Sequence, residues 1–392
     1  MKITDIIAHV MEIPDPDGHT PRRNWIFVEI RTDEGLTGIG EATTEYTELA
    51  VKAQIETELK PRLLGMNPLE IGRIWTLGFR HFWWRMGVVH TSAMSGIDQA
   101  LWDLKGKAAG LPVFELLGGR VRDRVRLYAR VRDVFAEGEA SLEEDILQAV
   151  EEEGFDAFKS GFGALTQPFD EIEQVNRAVD DYRRMRDAVG PDVALMCDAA
   201  GVYSPTAAAR LIEGLREVDI YFVEEPTNQD TVNPTLQLKR AYPDVKIAVG
   251  ERLFTRWAFR EWFESQAIDV CQADICHTGG ISELMKIAHY AEVYGILIAP
   301  HNPYGPVALA AAAHAAAAMP NFTLLEHCRL RPWFEDVQKV AVPIVRGYVD
   351  LDELGKRPGL GVELDMEMIK NRPHRPLGVN PFVLKDGSSP LV

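Results

Sequence analysis

ALMCD (194–198), YFVEE (221–225), KIAVGE (246–251), VCQAD (270–274), LIAPH (297–301) and TLLEH (323–327) are short apolar runs, each with an ionisable residue at its end. Those residues, Asp198, Glu224, Glu251, Asp274, His301 and Glu326, follow one another at steps of 26, 27, 23, 27 and 25, the period of a strand–helix unit. The runs are rich in the β-branched, aliphatic and aromatic residues that suit buried parallel strands. They predict an α/β chain with a (β/α)8-type TIM barrel, whose active site is built where strands end and the following loops begin. Any one such acid reads equally as a helix N-cap or a surface charge. Six in register place them on one rim.

Working outward, VRLYARV (125–131) and FDAFKSG (155–161) supply the first two barrel strands. SLEEDILQAVEEEG (141–154) fits the helix between them, opening on a Ser-x-x-Glu capping signature and closing on glycine. PVALAAAAHAAAAMP (306–320) is too short for a membrane span and reads as a buried helix after strand seven. Upstream, ITDIIAHVMEI (3–13), NWIFVEIRT (24–32) and GLTGIGEA (35–42) alternate as an antiparallel meander, with a hairpin turn at 33–35. Helical spacing follows over 48–64 and again over 94–110, which ends on Gly110 and Pro112. The expected division is an α+β capping domain over 1–120, completed by about 350–392, and a catalytic barrel over 121–349.

The 392 residues suffice for a barrel of roughly 250 residues and a further domain. Lys and Arg total 42 against 59 Asp and Glu, a net charge of −17, and no basic block is present, so nucleic acid is a poor partner. Cys197, Cys271, Cys276 and Cys328 lie in or beside the strand runs without a CxxC pair. That usage suits reduced thiols in a cytoplasm. The first 18 residues lack the apolar stretch and cleavage site of a secretory signal, and no membrane span is expected.

Carboxylates crowded together without a counter-charge resist ionisation, because burial disfavours the charged form and like charges raise each other's pKa. A divalent cation resolves the conflict. Asp198, Glu224 and Glu251 come from consecutive units and offer only hard oxygens, which suits Mg2+ better than zinc.

The words SAMSGIDQALWDLKGKAAGLPVFELLGG (92–119), FVEEP (222–226), GER (250–252), QADICHTGGISE (272–283), APHNPYGP (299–306) and RPGLGVELD (357–365) resemble the enolase superfamily, mandelate racemase subgroup, and within it the acid-sugar dehydratases typified by D-galactonate dehydratase. The resemblance covers nearly the whole chain. It implies an Mg2+ held by Asp198, Glu224 and Glu251, a His301–Asp274 base dyad, Glu326 near the enolate oxygens, and a cap that closes over the substrate. Related proteins often form octamers, so a homo-oligomer is expected. The chemistry accounts for these types. A proton next to a carboxylate is weakly acidic, and a metal on the carboxylate oxygens stabilises the enediolate left when it goes. His301 serves as base if Asp274 fixes its tautomer. Glu326 reads either as a protonated donor to the enediolate or as a structural residue of strand eight.

Two departures separate this chain from its relatives' reactions. Two-base racemases carry Lys-x-Lys at the end of strand two, whereas FKSG offers Lys159 and then Gly161. Galactonate dehydratases carry a histidine two residues after the first metal ligand, where this chain has Ala200. The proton for the departing hydroxyl then comes from His301 itself, from a cap residue such as His19 or Tyr46, or from metal-bound water. Lys159 reads as a substrate contact or as the partner of Asp198 or another acid. Arg130 and Arg132 read as substrate contacts or surface ion pairs. DPDGHTPRRN (15–24), with His19, Arg22 and Arg23, matches by resemblance the cap loop that sets specificity, and RHFWWRMG (80–87) reads as packing or interface. The expected activity is an Mg2+-dependent lyase that removes the C2 proton of a sugar acid, an aldonate such as galactonate, and expels the C3 hydroxyl to give a 2-keto-3-deoxy acid. The alternatives are an acid-sugar epimerase and a catalytically silent sugar-acid-binding barrel.

Overall fold

Apolar residues alternate along the N-terminal strands, and both faces of the sheet they build are buried. The computed structural model describes residues 1–14, 21–80, 83–131, 142–161, 171–329, 333–376 and 387. Strands β1 (Ile3–Pro14), β2 (Pro21–Thr32) and β3 (Thr37–Glu41) form an antiparallel sheet in the order β1-β2-β3. Ile6, Ala8 and Val10 pair with Ile30, Val28 and Ile26 and pack with the cap helices around Ile55, Leu59, Ile74 and Leu101. Met11, Ile13, Trp25 and Phe27 point the other way, into the core that continues through the barrel. The long helix Val88–Ala109, which begins six residues earlier than the sequence spacing predicts, lies between these regions and ends at Gly110 with φ +68.

The barrel strands are β4 (Arg124–Arg130), β5 (Ala157–Gly161), β6 (Ala194–Asp198), β7 (Phe222–Glu224), β8 (Ile247–Val249), β9 (Val270–Cys271), β10 (Leu297–Ile298) and β11 (Leu325–His327). They pair in parallel in chain order from β4 to β10. The circle closes where β11 pairs β4 and Ile298 bridges Phe322. Tyr128, Ala157, Met196, Phe222, Ala248, Val270, Ala299 and Leu324 fill the interior, so the barrel is a packed core with its chemistry confined to one end. The expected (β/α)8 architecture is the observed one. Several strands end sooner than the apolar runs suggest, leaving Glu251, Asp274 and His301 on the loops just beyond them. Pro300 carries no N–H to continue a ladder, and Gly250 turns the chain at φ +154, where a Cβ would stand 2.8 Å from the Gln272 backbone.

The predicted buried helix is Pro306–Ala318, with only Ala318 not fully buried. Among the described residues no helix is long and apolar enough to cross a membrane. Cys197, Cys271 and Cys276 are buried free thiols and Cys328 is half-buried. Ser141 of the expected capping signature lies outside the described residues, but the helix it would open is present from Leu142 and closes on Gly154 at φ +75. Near the C-terminus, Tyr348–Asp350 adds an antiparallel strand to the first half of β4, and Met11 bridges Pro373 of the tail.

Candidate active site

Lys159 is the geometric centre of the rim. It lies in the middle of β5 beside Arg130 of β4 and Met196 of β6, is 1 % exposed, and its Nζ lies over the Tyr128 ring at 5.5 Å. The ammonium donates to Glu224 Oε2 at 2.7 Å and Oε1 at 2.9 Å, with Glu326 Oε1 at 3.2 Å and Asp198 Oδ2 at 3.7 Å. Burial pulls its pKa down, but Glu224 and Glu326 more than offset this and hold it well above the lysine range. Of the two sequence readings of Lys159, the acid-paired one is present, and its main partner is Glu224.

A second centre is His301. Its Nδ1 lies 2.6 Å from Asp274 Oδ2, and its Nε2 faces Glu251 Oε2 at 3.1 Å and Glu326 Oε2 at 3.8 Å. Asp274 Oδ1 accepts from Cys276 N at 2.6 Å, which fixes the carboxylate from behind. Burial lowers the imidazole pKa, but Glu251, Glu326 and the Asp274 hydrogen bond outweigh it and raise it well above 6.5. These charges favour the protonated form of His301. It becomes a base once the charge facing Nε2 is neutralised.

Asp198 and Glu224 stand side by side on adjacent strands, and Asp198 Oδ1 accepts from Ala200 N at 2.9 Å. Gln272 donates to Glu224 Oε2 at 2.6 Å. Burial, followed by the charges of Asp198, Glu251 and Glu326, pushes Glu224 up to about 8 even with Lys159 in contact. The donor set therefore has more carboxylate than cation, a deficit that one divalent ion removes. Among the described residues no three side chains are already drawn together as a metal shell; Lys159 pairs with Glu224, and both His301 and Arg252 pair with Glu251. Asp198, Glu224 and Glu251 nonetheless fit Mg2+ as three hard-oxygen donors on consecutive strand ends.

Glu326 faces both Lys159 and His301. Burial alone would protonate it, but Lys159, His301 and Arg130 hold its pKa down at about 2, and Asn302 N donates to Oε2 at 3.0 Å. An ionised Glu326 accepts hydrogen bonds and has no proton to donate. Arg130, half-buried at the end of β4, is one of the charges that act on this carboxylate. Arg23 bonds to Pro303 O and faces Glu45 Oε1 at 3.5 Å, placing it at the junction of cap and loop seven. Tyr46 is 62 % exposed with φ +63. His19, Arg132 and the Arg22 side chain lie outside the described residues.

Sequence reasoning missed several supports. Arg252 clasps the neighbouring Glu225 and donates to Ala200 O at 2.7 Å, and Gln272, Asn302, His277 and Tyr304 all lie within two to three residues of a site acid or His301. The signal was available. They belong to the words GER, QADICH and PHNPYG, whose polar residues recur around each strand end.

Residues 141–368 match the family described as enolase C-terminal domain-like, and residues 18–118 match the mandelate racemase / muconate lactonizing enzyme N-terminal domain. The chain belongs to the enolase superfamily. Within this superfamily it is similar to a D-galactonate dehydratase of Verminephrobacter eiseniae, 36 % identical over 95 % of this chain and 94 % of the relative. A D-galactonate dehydratase family member of Streptomyces bingchenggensis is 32 % identical over 94 % of each chain. Among solved structures, a putative galactarate dehydratase from Agrobacterium radiobacter, bound to Na and L-malate, superposes with a TM-score of 0.87 at 30 % identity over 99 % of both chains. The capped barrel of this superfamily member is thus the fold expected from its sequence.

Proposed function

We propose that this protein is an Mg2+-dependent dehydratase of a sugar acid, removing the C2 proton and expelling the C3 hydroxyl to leave a 2-keto-3-deoxy acid. Kinship over nearly the whole chain with proteins named dehydratases makes it an enzyme of the hydro-lyase class. The observation that carries the finer reading is the His301–Asp274 contact of 2.6 Å, set beside a cluster that holds more carboxylate than cation. Asp198, Glu224 and Glu251 would hold Mg2+, which when bound supplies charge stabilisation to a carboxylate substrate losing its α-proton.

The chain's own residues account for the rest. Asp274 holds Nδ1–H and leaves Nε2 facing the cavity side, where it accepts the C2 proton. Lys159, fixed by Glu224 and Glu326, adds a buried positive charge beside the carboxylates that would hold the ion. Gly161 supplies no second base on the opposite side, which favours elimination over epimerisation. Ala200 supplies no acid for the hydroxyl, so His301 returning its proton in a syn elimination is the economical route. The partner is a small sugar acid of the aldonate class, with no nucleic acid and no membrane. Trp83 and Trp84, each 95 % exposed, support a homo-oligomer in which they are covered.

The test is incubation with Mg2+ and a panel of aldonic and aldaric acids, with 2-keto products trapped by semicarbazide. Keto acid from any of them supports the proposal. Exchange of C2 hydrogen with solvent deuterium without keto acid would replace it with epimerisation, and silence in both assays would leave only a binding role.

A further inference from the structure

Behind the His301–Asp274 pair lies a second buried histidine that proton abstraction does not use. His277 follows Asp274 by three residues and is 8 % exposed. Its Nδ1 lies 2.8 Å from Ser92 Oγ, on the long cap helix Val88–Ala109. Its Nε2 lies 2.7 Å from the Tyr304 hydroxyl and 4.0 Å from Asp274 Oδ2. Tyr304, 6 % exposed, sets its ring perpendicular to that of His301, with centroids 6.0 Å apart and an angle of 89°. The ring of His277 also meets Tyr304 edge-on at 5.5 Å. A continuous chain of contacts therefore runs from the cap through Ser92, His277 and Tyr304 to the ring of His301.

We infer that Ser92, His277 and Tyr304 are positioning residues that let the docked cap set the orientation of the His301 imidazole. Two features favour this over plain packing. Both nitrogens of His277 are used, one toward the cap and one toward the barrel, so the ring cannot turn without losing a buried hydrogen bond. An edge-to-face aromatic contact constrains the plane of His301, the degree of freedom that the single bond to Asp274 leaves open. Burial lowers the His277 imidazole pKa, which disfavours a second positive charge beside Asp274.

The inference rests on the proposed role of His301 as base, so its test includes a readout independent of turnover. Tyr304→Phe keeps the ring and removes the hydroxyl, and Ser92→Ala cuts the chain at the cap. With a sugar acid that the wild type dehydrates, each is expected to lower kcat, Tyr304→Phe by about tenfold, because small misplacements of a reacting group cost rate. KM should stay within about twofold, since substrate contacts are untouched. The double variant should lose no more than the worse single one, as members of one chain are not additive. In protein carrying 15N-histidine, both substitutions should shift the ring signals of His301 as well as His277. A kcat within about twofold of wild type for Tyr304→Phe, additive losses, or a His301 signal unmoved by Ser92→Ala would overturn the inference. If wild-type protein neither eliminates nor exchanges with any sugar acid, the functional reading fails alone. The chain is then judged on the His301 signal, moved or unmoved. Should Tyr304→Phe fail to fold, Ser92→Ala decides the matter.

Discussion

At the scale of single residues, the site is a balance of buried charge in which no member is neutral to its neighbours. His301→Asn removes the proton acceptor but keeps a polar group of similar size. Keto-acid formation and C2 exchange should both fall, by about 10²–10⁴-fold, the usual worth of a general base. Calorimetric Mg2+ binding should persist, and near-normal turnover would reject His301 as base. Lys159→Met is expected to act on stability as well. Its ammonium is the cation in contact with Glu224, and removing one partner of a buried pair costs about 3–5 kcal/mol. Unfolding in urea without Mg2+ should reveal that loss, and saturating Mg2+ should recover part of it. Equal stability of variant and wild type without metal would show that Lys159 does not neutralise the cluster. Ala200 shows what a sequence motif can mislead about: it takes φ +51 and binds Asp198 through its backbone, so the turn is kept although the family's side chain is gone.

At the scale of elements, cap and barrel are joined by buried acids set against helix starts. Glu41 ends β3 and accepts from Gly305 N at 2.8 Å and Ala308 N at 2.9 Å, at the N-terminus of helix Pro306–Ala318. Gly305 permits this approach, since a Cβ there would stand 2.8 Å from the carboxylate. Asp98 likewise accepts from Ser282 N at 2.9 Å, near the start of helix Gly280–Glu292. Burial raises both acids to about 7 in spite of these bonds. A folded pKa above the unfolded value means stability that is complete below about pH 4 and drains away as pH rises through 7. For Glu41 the loss is on the order of 1–3 kcal/mol. Glu41→Gln should therefore flatten the stability profile between pH 4.5 and 7. It should also cost about 1–2 kcal/mol at low pH, because an amide nitrogen facing a helix N–H accepts no bond. Denaturation midpoints across that range measure both effects, and a variant profile parallel to that of the wild type would rule out Glu41 as the titrating group.

For the whole molecule, excess carboxylate at one end of the barrel should couple folding to the proposed metal. Mg2+ at about a hundred times its dissociation constant should raise stability by about 2.7 kcal/mol. Asp198→Asn should abolish most of that increment in a thermal scan. An unchanged increment would mean that the ion binds elsewhere. The sequence was most legible where physics is periodic. Strand runs with acids at steps near 25 residues gave the barrel, and alternation in residues 3–42 gave the cap sheet, because burial on a pleated surface writes itself into every second position. It was least legible where distant segments meet. That Lys159 pairs chiefly with Glu224, that the charges of Lys159, His301 and Arg130 bear on Glu326, and that Ser92 reaches His277 across the cap are matters of three-dimensional proximity. Residue type and spacing alone thus determined the architecture and the rim on which these acids and His301 gather. Tertiary structure decided their protonation and partners, because a pKa depends on which charges lie within a few ångströms and how much water is excluded, and neither is local in sequence.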